Sequence, residues 1–484
     1  MHIGAPILET AISRRRFSLL CGHLALQDGE GTMNRVPASV ARDAESIFRA
    51  ALARVDPATM MRRAVRIEES VLIAGAGIDE ARYEFADFDR ILVAAFGKAG
   101  ARMALGLEGV LGDRISGGVV AVKEGHIESL TRIKLVEAAH PVPDVRSVRA
   151  AAEILALGRI VDERTLVFVL ISGGGSSILC APAPGLELED KAATTRLLLA
   201  CGATIREVNC VRKHLSAVKG GRLAAALAPA TVVSLVLSDV VGDDLNVIAS
   251  GPTVPDPTTW ADVIEIVQRR GIGDRLPARV AELIRRGAAG ELADTPKPGD
   301  PSFARCCTLL IGTNRLALLA AEANAREKGY SPLVLTSRLT GEAREVALML
   351  LGIGEDIAES GFPLRRPACL IAGGETTVTL RGSGKGGRNQ EMALAFLCAA
   401  SKNPRLFERM HFLAASTDGS DGPTDAAGAF ASSEVLERAT AARFDPASYL
   451  EDNNSYRFFA SLDALLKTGP TNTNVGDVQI LLVP

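Results

Sequence analysis

The chain has 484 residues, 47% of them hydrophobic and 23% charged, with a formal net charge of −3, enough for two or three domains around a large core. Basic residues are scattered rather than gathered in runs, which excludes the electrostatic footprint of a nucleic-acid or anionic-membrane partner; any anionic ligand must be held locally. No apolar run reaches the roughly 20 residues that cross a bilayer. The eight cysteines lack zinc-site or CxxC spacing and read as reduced core residues of a cytoplasmic protein.

Residues 1–37 are expected to be a disordered extension. The stretch "SRRRFSLLCGHLAL" has the look of a twin-arginine export signal, but its apolar part is short, contains His23 and leads to no small-residue cleavage site. From residue 38 onward, amphipathic segments alternate with short continuous apolar runs: 91–96, 118–122, 166–171, 231–237, 308–311, 333–335, 369–372, 411–415 and 478–483. Continuous rather than alternating hydrophobicity implies strands covered on both faces. Helix candidates such as 145–161 and 314–330 lie between them. The expected fold is α/β and Rossmann-like, with two domains whose mostly parallel sheets are flanked by helices. Residues 286–305, rich in glycine, proline and charge, are taken as the linker between an N-terminal domain (38–285) and a C-terminal domain (306–484).

Ligands of open α/β sheets bind beyond the carboxyl ends of the strands, so the residues after each run are the site candidates. Lys98 follows the first run, and a cation there is misplaced in a first helical turn unless an anion joins it. "SGGGSS" supplies Ser172, Gly173, Gly174, Gly175, Ser176 and Ser177, whose backbone N–H groups and hydroxyls suit phosphate oxygens, although a glycine-rich loop alone is a weak signal. Asp239, Asp243 and Asp244 follow 231–237, and Asp418, Asp421 and Asp425 follow 411–415. Carboxylates this concentrated raise one another's pKa unless a cation sits among them; Mg2+ fits. In "GGETTVTLRGSGKGGRNQE" (373–391), Glu375 and Thr376 end a strand, "TTVTL" forms a second short strand, and a glycine turn leads into a helix. Lys385, Gly386, Gly387 and Arg388 would then form an anion clamp at the helix N-terminus; the plainer alternative is a solvated hairpin tip. These are the parts of a phosphoryl-transfer site: a glycine cradle, cations for developing charge, and carboxylates for a metal and for a hydroxyl.

Six motifs in order, "FGKAG", "ISGGGSS", "VRKHLSAVKGGRLA", "SDVVGDDLNVIASGPT", "GGETTVTLRGSGKGGRNQE" and "STDGSDGPTDAAGA", together resemble the glycerate 2-kinase family. Its C-terminal portion is the MOFRL domain, and some members carry the older label hydroxypyruvate reductase. The likeness covers about residues 38–484. It implies a two-domain α/β kinase with the active site in the interdomain cleft, moving phosphate from ATP, with magnesium, to the 2-hydroxyl of D-glycerate to give 2-phosphoglycerate. The family's lysine matches Lys98, its serine-glycine loop 172–177, its aspartate motif Asp239 with Asp243 and Asp244, and its second-domain arginine Arg388. On this reading Lys98, Asp239 and Arg388 are catalytic, with Asp239 as the base or orienting group for the hydroxyl and Asp243 or Asp244 nearer the metal, or the reverse. Lys213, Asn389 and Asp418, within the same motifs, join the loop residues as substrate or nucleotide contacts. A homodimer is compatible, with no nucleic-acid or membrane partner. An NAD(P)H-dependent hydroxypyruvate reductase would need G-x-G-x-x-G at a first βα turn, which "GGGSS" lacks. A P-loop would need Ser or Thr after the lysine, whereas Lys385 precedes Gly386. A non-catalytic sugar-phosphate regulator would gain nothing from six aspartates.

Overall fold

The computed structural model describes residues 37–76 and 79–484; apart from Pro37, which opens a helix, the proposed N-terminal extension lies outside them. Residues 37–484 form one compact unit. A small antiparallel sheet comes first: β1 (Val65–Glu68), β2 (Val71–Ala76) and β3 (Asp79–Glu84).

The next sheet contains β4 (Arg90–Phe96), β5 (Ile115–Lys123), β6 (Lys134–Ala138), β7 (Thr165–Ile171), β8 (Thr231–Leu237) and β9 (Cys306–Gly312). Its order is β6-β5-β4-β7-β8-β9, and every pairing is parallel. This is the doubly wound Rossmann order, in which the chain reverses direction across the sheet between the first and fourth strands. That switch point falls between β4 and β7, the strands that deliver Lys98 and the serine-glycine loop. Both β7 and β8 are buried along their whole length, as continuous apolar runs require.

β9, expected to open the second domain, instead completes this first sheet by pairing with β8. Nor is 286–305 a free tether. Asp294 accepts hydrogen bonds from the Trp260 N–H at 3.0 Å and pairs with His214 Nε2 at 3.0 Å. Buried Thr295 donates to Asp256 at 3.0 Å. Glycine and proline there mark an irregular backbone, but its side chains are anchored.

The remaining sheet has β10 (Ser331–Leu339), β11 (Ala368–Gly374), β12 (His411–Ser416), β13 (Gly428–Ser432), β14 (Leu465–Leu466) and β15 (Asp477–Val483), in the order β10-β11-β15-β12-β13-β14. Only β10 and β11 pair in parallel; β15 runs antiparallel between β11 and β12, and β13 and β14 follow antiparallel. The expectation of mostly parallel pairing therefore holds for the first sheet and not for this one. β15 is buried throughout, so its apolar run looks like that of a parallel strand although its direction is reversed. "TTVTL" is not a strand either: Thr377 forms only an isolated bridge to Glu342.

The helix Pro37–Arg54 packs on the helix Asn314–Glu327 of the later half, where Asp43 pairs with Lys328 at 2.8 Å. One hydrophobic cluster runs through both sheets, from Phe48, Val93 and Phe168 to Ile371 and Ile480. Among the described residues no helix is long and apolar enough to cross a membrane.

Candidate active site

The carboxyl ends of β7 and β8 face those of β11 and β12 across a cleft of about 1180 Å³. On the first-sheet side, Gly97 takes φ +118°, a conformation open to glycine, and a side chain there would collide with Ser172. The Lys98 N–H donates to the Gly173 carbonyl at 2.8 Å, and the Ala99 N–H to Ser172 Oγ at 3.0 Å. Two strand ends are thereby stitched together. Ser172 and Ser177 are buried, Ser177 bonding back to the Gly174 carbonyl, so they shape the loop; Gly174, Gly175 and Ser176 line the cleft.

Asp239 also lines it, beside Gly173, where any Cβ would strike its carboxylate. Burial raises the pKa of Asp239 above the usual carboxylate range; Glu375, facing it from the second sheet, pushes in the same direction, and Lys98 opposes. These are the charges that bear on Asp239. Asp243 and Asp244 do not line the cleft: Asp243 occupies a left-handed turn (φ +59°), and Asp244 accepts the Asn246 N–H at 2.9 Å. Among the described residues no group of three or more His, Cys, Asp or Glu is arranged to hold a metal ion.

From the second sheet, Arg388 is gripped bidentately by Asp477, Nε to Oδ2 at 2.6 Å and Nη2 to Oδ1 at 3.0 Å, and its Nη1 reaches Glu375 at 2.7 Å. Burial lifts Asp477 to about 6, with Arg388 pulling against it. Thr376 lines the cleft with a buried hydroxyl that has no partner among the described residues, the state expected of a ligand contact.

Most of the glycine-rich stretch is bound to its neighbours rather than open to the cleft. The N–H groups of Arg381 and Gly382 go to Asn453 Oδ1 at 2.7 and 3.0 Å, that of Ser383 to Asp452 Oδ1 at 3.0 Å and that of Gly384 to the Asp452 carbonyl at 2.9 Å. Side chains at 386 and 387 would collide with Ser455 and Asp421. Much of the run is glycine because it lies flat on its neighbours. Lys385 turns away from the cleft and stacks over Tyr456 at 4.7 Å, whereas Gly386 and Gly387 line it.

The other aspartates separate. Asp421 caps the helix Arg388–Ala400, accepting from the Asn389 and Gln390 N–H groups at 3.1 and 2.8 Å. Asn389, which also binds Asp421 through its amide, is wholly buried and touches no ligand space. Asp425 pairs on the surface with Lys467 at 2.9 Å. Asp418 accepts from Ser416 Oγ and the Ser420 N–H, both at 2.9 Å.

Lys213, expected at the ligand, is buried in an ion pair with Asp256 at 3.1 Å. Lys213→Met is therefore expected to lower stability by about 3 kcal/mol, because Asp256 would be left buried without its cation, while kcat of the folded fraction stays near wild type. Matched urea melts and kinetics check this.

The MOFRL family profile matches residues 368–477, and a domain of unknown function, DUF4147, matches 43–285. A glycerate 2-kinase of Pyrococcus horikoshii is 39% identical over 90% of this chain and 95% of its own length. This chain belongs to the glycerate 2-kinase family. A solved glycerate kinase of Thermotoga maritima superposes with a TM-score of 0.81 at 37% identity, covering 93% of this chain and 100% of that one. A relative from Agrobacterium vitis, 42% identical over 81% of this chain and 87% of its own length, carries hydroxypyruvate reductase as a provisional name.

Two features at or behind the cleft of this glycerate 2-kinase family member escape the sequence reading. His140, at the end of the unrecognised strand β6, packs against Gly174; burial and then Lys98 hold it down to about 4, so it is neutral near pH 7. Arg212, one residue from Lys213, lines the cleft with Asn209. Inspecting every strand end would have found the histidine; no sequence signal separates Arg212 from Lys213.

Proposed function

We propose that this protein transfers the γ-phosphoryl group of ATP to the 2-hydroxyl of D-glycerate, giving 2-phosphoglycerate and ADP, and that it works in the cytoplasm, where its seven described cysteines, none of them in a disulfide, would remain reduced. The observation that carries the reading is the meeting of Asp239 from one sheet with Glu375 and Arg388 from the other in one cleft, with Lys98 beside Gly174 and near enough to act on the charge of Asp239, in a chain whose relatives bear the name glycerate 2-kinase.

Phosphoryl transfer asks a protein for positioning and charge compensation more than for covalent chemistry. Asp239, with its pKa raised, is poised to accept the proton of the attacking hydroxyl. Arg388, held rigid by Asp477, lines the cleft where negative charge builds, and Lys98, whose ammonium has no ion-pair partner among the described residues, lies beside Gly174 of the loop. The neutral imidazole of His140 packs behind the loop. Magnesium suits the chemistry of this donor set: the Oε2 of Glu375 has no partner among the described residues, and one or two carboxylates with phosphate oxygens and water suffice for that ion. Glu375 rather than Asp243 or Asp244 would hold it. When bound it supplies neutralising charge to the phosphate oxygens.

The test is ADP release coupled to product analysis, with D-glycerate, ATP and magnesium. 2-Phosphoglycerate that disappears on chelation is the expected product. 3-Phosphoglycerate would overturn the regiochemistry, and oxidation of NADH by hydroxypyruvate without ADP would favour a reductase.

A further inference from the structure

Behind the serine-glycine loop lies a cluster of basic side chains that the mechanism above does not use; burial lowers the pKa of Lys191 to about 8 and that of Lys219 well below the usual lysine range. Lys219 is 2% exposed and Lys191 7%. Their ammonium groups reach only backbone carbonyls, Lys219 that of Ala249 at 3.4 Å and Lys191 that of Ala181 at 3.2 Å. Arg212, half-buried, reaches the Ser176 carbonyl at 3.4 Å. None of the three pairs with a carboxylate among the described residues. Their neighbours differ: Lys213 has Asp256, and Arg222 donates to two carbonyls at 2.7 and 2.9 Å. Buried basic groups normally pair with an anion or give up their charge, so an anion bound here would favour their charged forms; among the described residues of this group, Arg212 is the one that lines the cleft.

Arg212 ends a helix, where a cation suits the dipole, but Lys191 and Lys219 lie on other segments, so helix electrostatics do not account for the cluster. The backbone offers a second, independent sign. Ala249 and Ser250 hold left-handed φ values of +50° and +63°, which non-glycine residues adopt under constraint, often at functional sites. Ser250 Oγ bonds Ser176 Oγ at 3.1 Å and Asn209 Oδ1 at 3.0 Å, and the Ala249 carbonyl takes Lys219. The strained turn thus fixes Ser176, Asn209 and Ala249 around Arg212, and all four line the cleft.

We propose that Arg212, backed by Lys219 and Lys191, binds the carboxylate of the acceptor and thereby presents its 2-hydroxyl, rather than its 3-hydroxyl, to Asp239. The proposal rests on the kinase reading above. A guanidinium fork matches a carboxylate in shape. Arg212 and Asp239 belong to the same wall of the cleft, and carbon 2 of glycerate bears both the carboxylate and the reacting hydroxyl. A carboxylate anchored on that wall leaves the 2-hydroxyl one carbon away, while Arg388 and Gly386–Gly387 form the opposite wall for the phosphates.

The experiment compares wild type, Arg212→Lys and Arg212→Gln by kinetics, product analysis and calorimetric titration with D-glycerate and with ATP, after melting temperatures establish folding. In Arg212→Gln the KM and Kd for D-glycerate should rise about 100-fold, those for ATP should change by less than about threefold, and 3-phosphoglycerate should appear among the products. Glycerol, which lacks the carboxylate, should lose far less. Arg212→Lys should fall between, and carries the test alone if the glutamine variant does not fold. A rise confined to ATP would assign the subsite to a nucleotide phosphate and overturn the proposal, as would unchanged affinities for both. Absence of ADP release by wild type would instead sink the kinase reading, and the calorimetric arm would still decide whether Arg212 holds D-glycerate.

Discussion

Asp239→Asn is expected to lower kcat by roughly 10²- to 10⁴-fold with no loss of melting temperature. The amide keeps the shape of the carboxylate, and therefore its fit beside Gly173, but it cannot take the proton of the acceptor hydroxyl. Stability should hold or rise, because burial and Glu375 both work against a charge at this position. A mere turn-capping role predicts the opposite, since asparagine caps as well as aspartate. The pH profile adds an independent reading. With its pKa raised by burial and by Glu375, the acidic limb of wild-type kcat should lie above the ordinary carboxylate range, and the residual rate of the variant should not share it. A fully active, normally folded Asp239→Asn enzyme would remove the residue from the chemistry.

Arg388→Ala should cost both activity and stability, where the sequence alone suggested activity only. Loss of a preorganised cation at the transferring group lowers kcat by roughly 10²-fold or more. It also strands Asp477, wholly buried at the start of β15 and dependent on that guanidinium, for about 3–5 kcal/mol. The sign of the pH dependence follows from Asp477. Its folded-state pKa, about 6 even with Arg388 in place, lies above the unfolded value and rises further in the variant. The deficit should therefore shrink as the pH is lowered and the carboxyl takes a proton. Arg388→Ala combined with Asp477→Asn should recover most of the stability and none of the activity. Arg388→Lys should rescue only partly, because an ammonium cannot satisfy both oxygens of Asp477 and Glu375 together. If the double variant stays as unstable as the single one, the ion pair is not what Arg388 contributes to the fold.

Much of this architecture is legible in the sequence, for reasons that also mark its limits. The apolar runs at 91–96, 166–171 and 231–237 locate β4, β7 and β8 because a strand buried on both faces has no polar face to interrupt it. The same reasoning is blind to direction, so β15 passes for a parallel strand, and to marginal strands such as β6, which is exposed or only partly covered up to its last residue, Ala138. Strand-end inspection singles out Asp239 and Glu375, which line the cleft, and Lys98, which lies beside Gly174, since the carboxyl edge of a sheet is where side chains escape the core. It fails for Asp243 and Asp244, because a turn of several residues can aim its carboxylates at its own backbone. Lys213 and Arg212 illustrate the limit: adjacent residues on a helix point about 100° apart, and only the packed structure tells which one meets Asp256 and which meets the cleft. Glycine is ambiguous for a similar reason. Room for a ligand and room for a neighbouring strand of chain leave the same mark in a sequence, and at 382–387 the neighbour, Asp452–Ser455, is most of the answer.

The placement of β15 bears on how the molecule is made. It follows every other strand of its sheet along the chain, yet it sits at the centre, hydrogen-bonded to β11 on one side and β12 on the other. A nascent chain lacking it holds two unconnected fragments, β10-β11 and β12-β13-β14, each with an open apolar edge that invites pairing with other chains. Such late, long-range closure makes for slow folding. Because β15 also brings Asp477, the seat of Arg388, closing the sheet and fixing that arginine at the cleft become the same event on the ribosome's timetable.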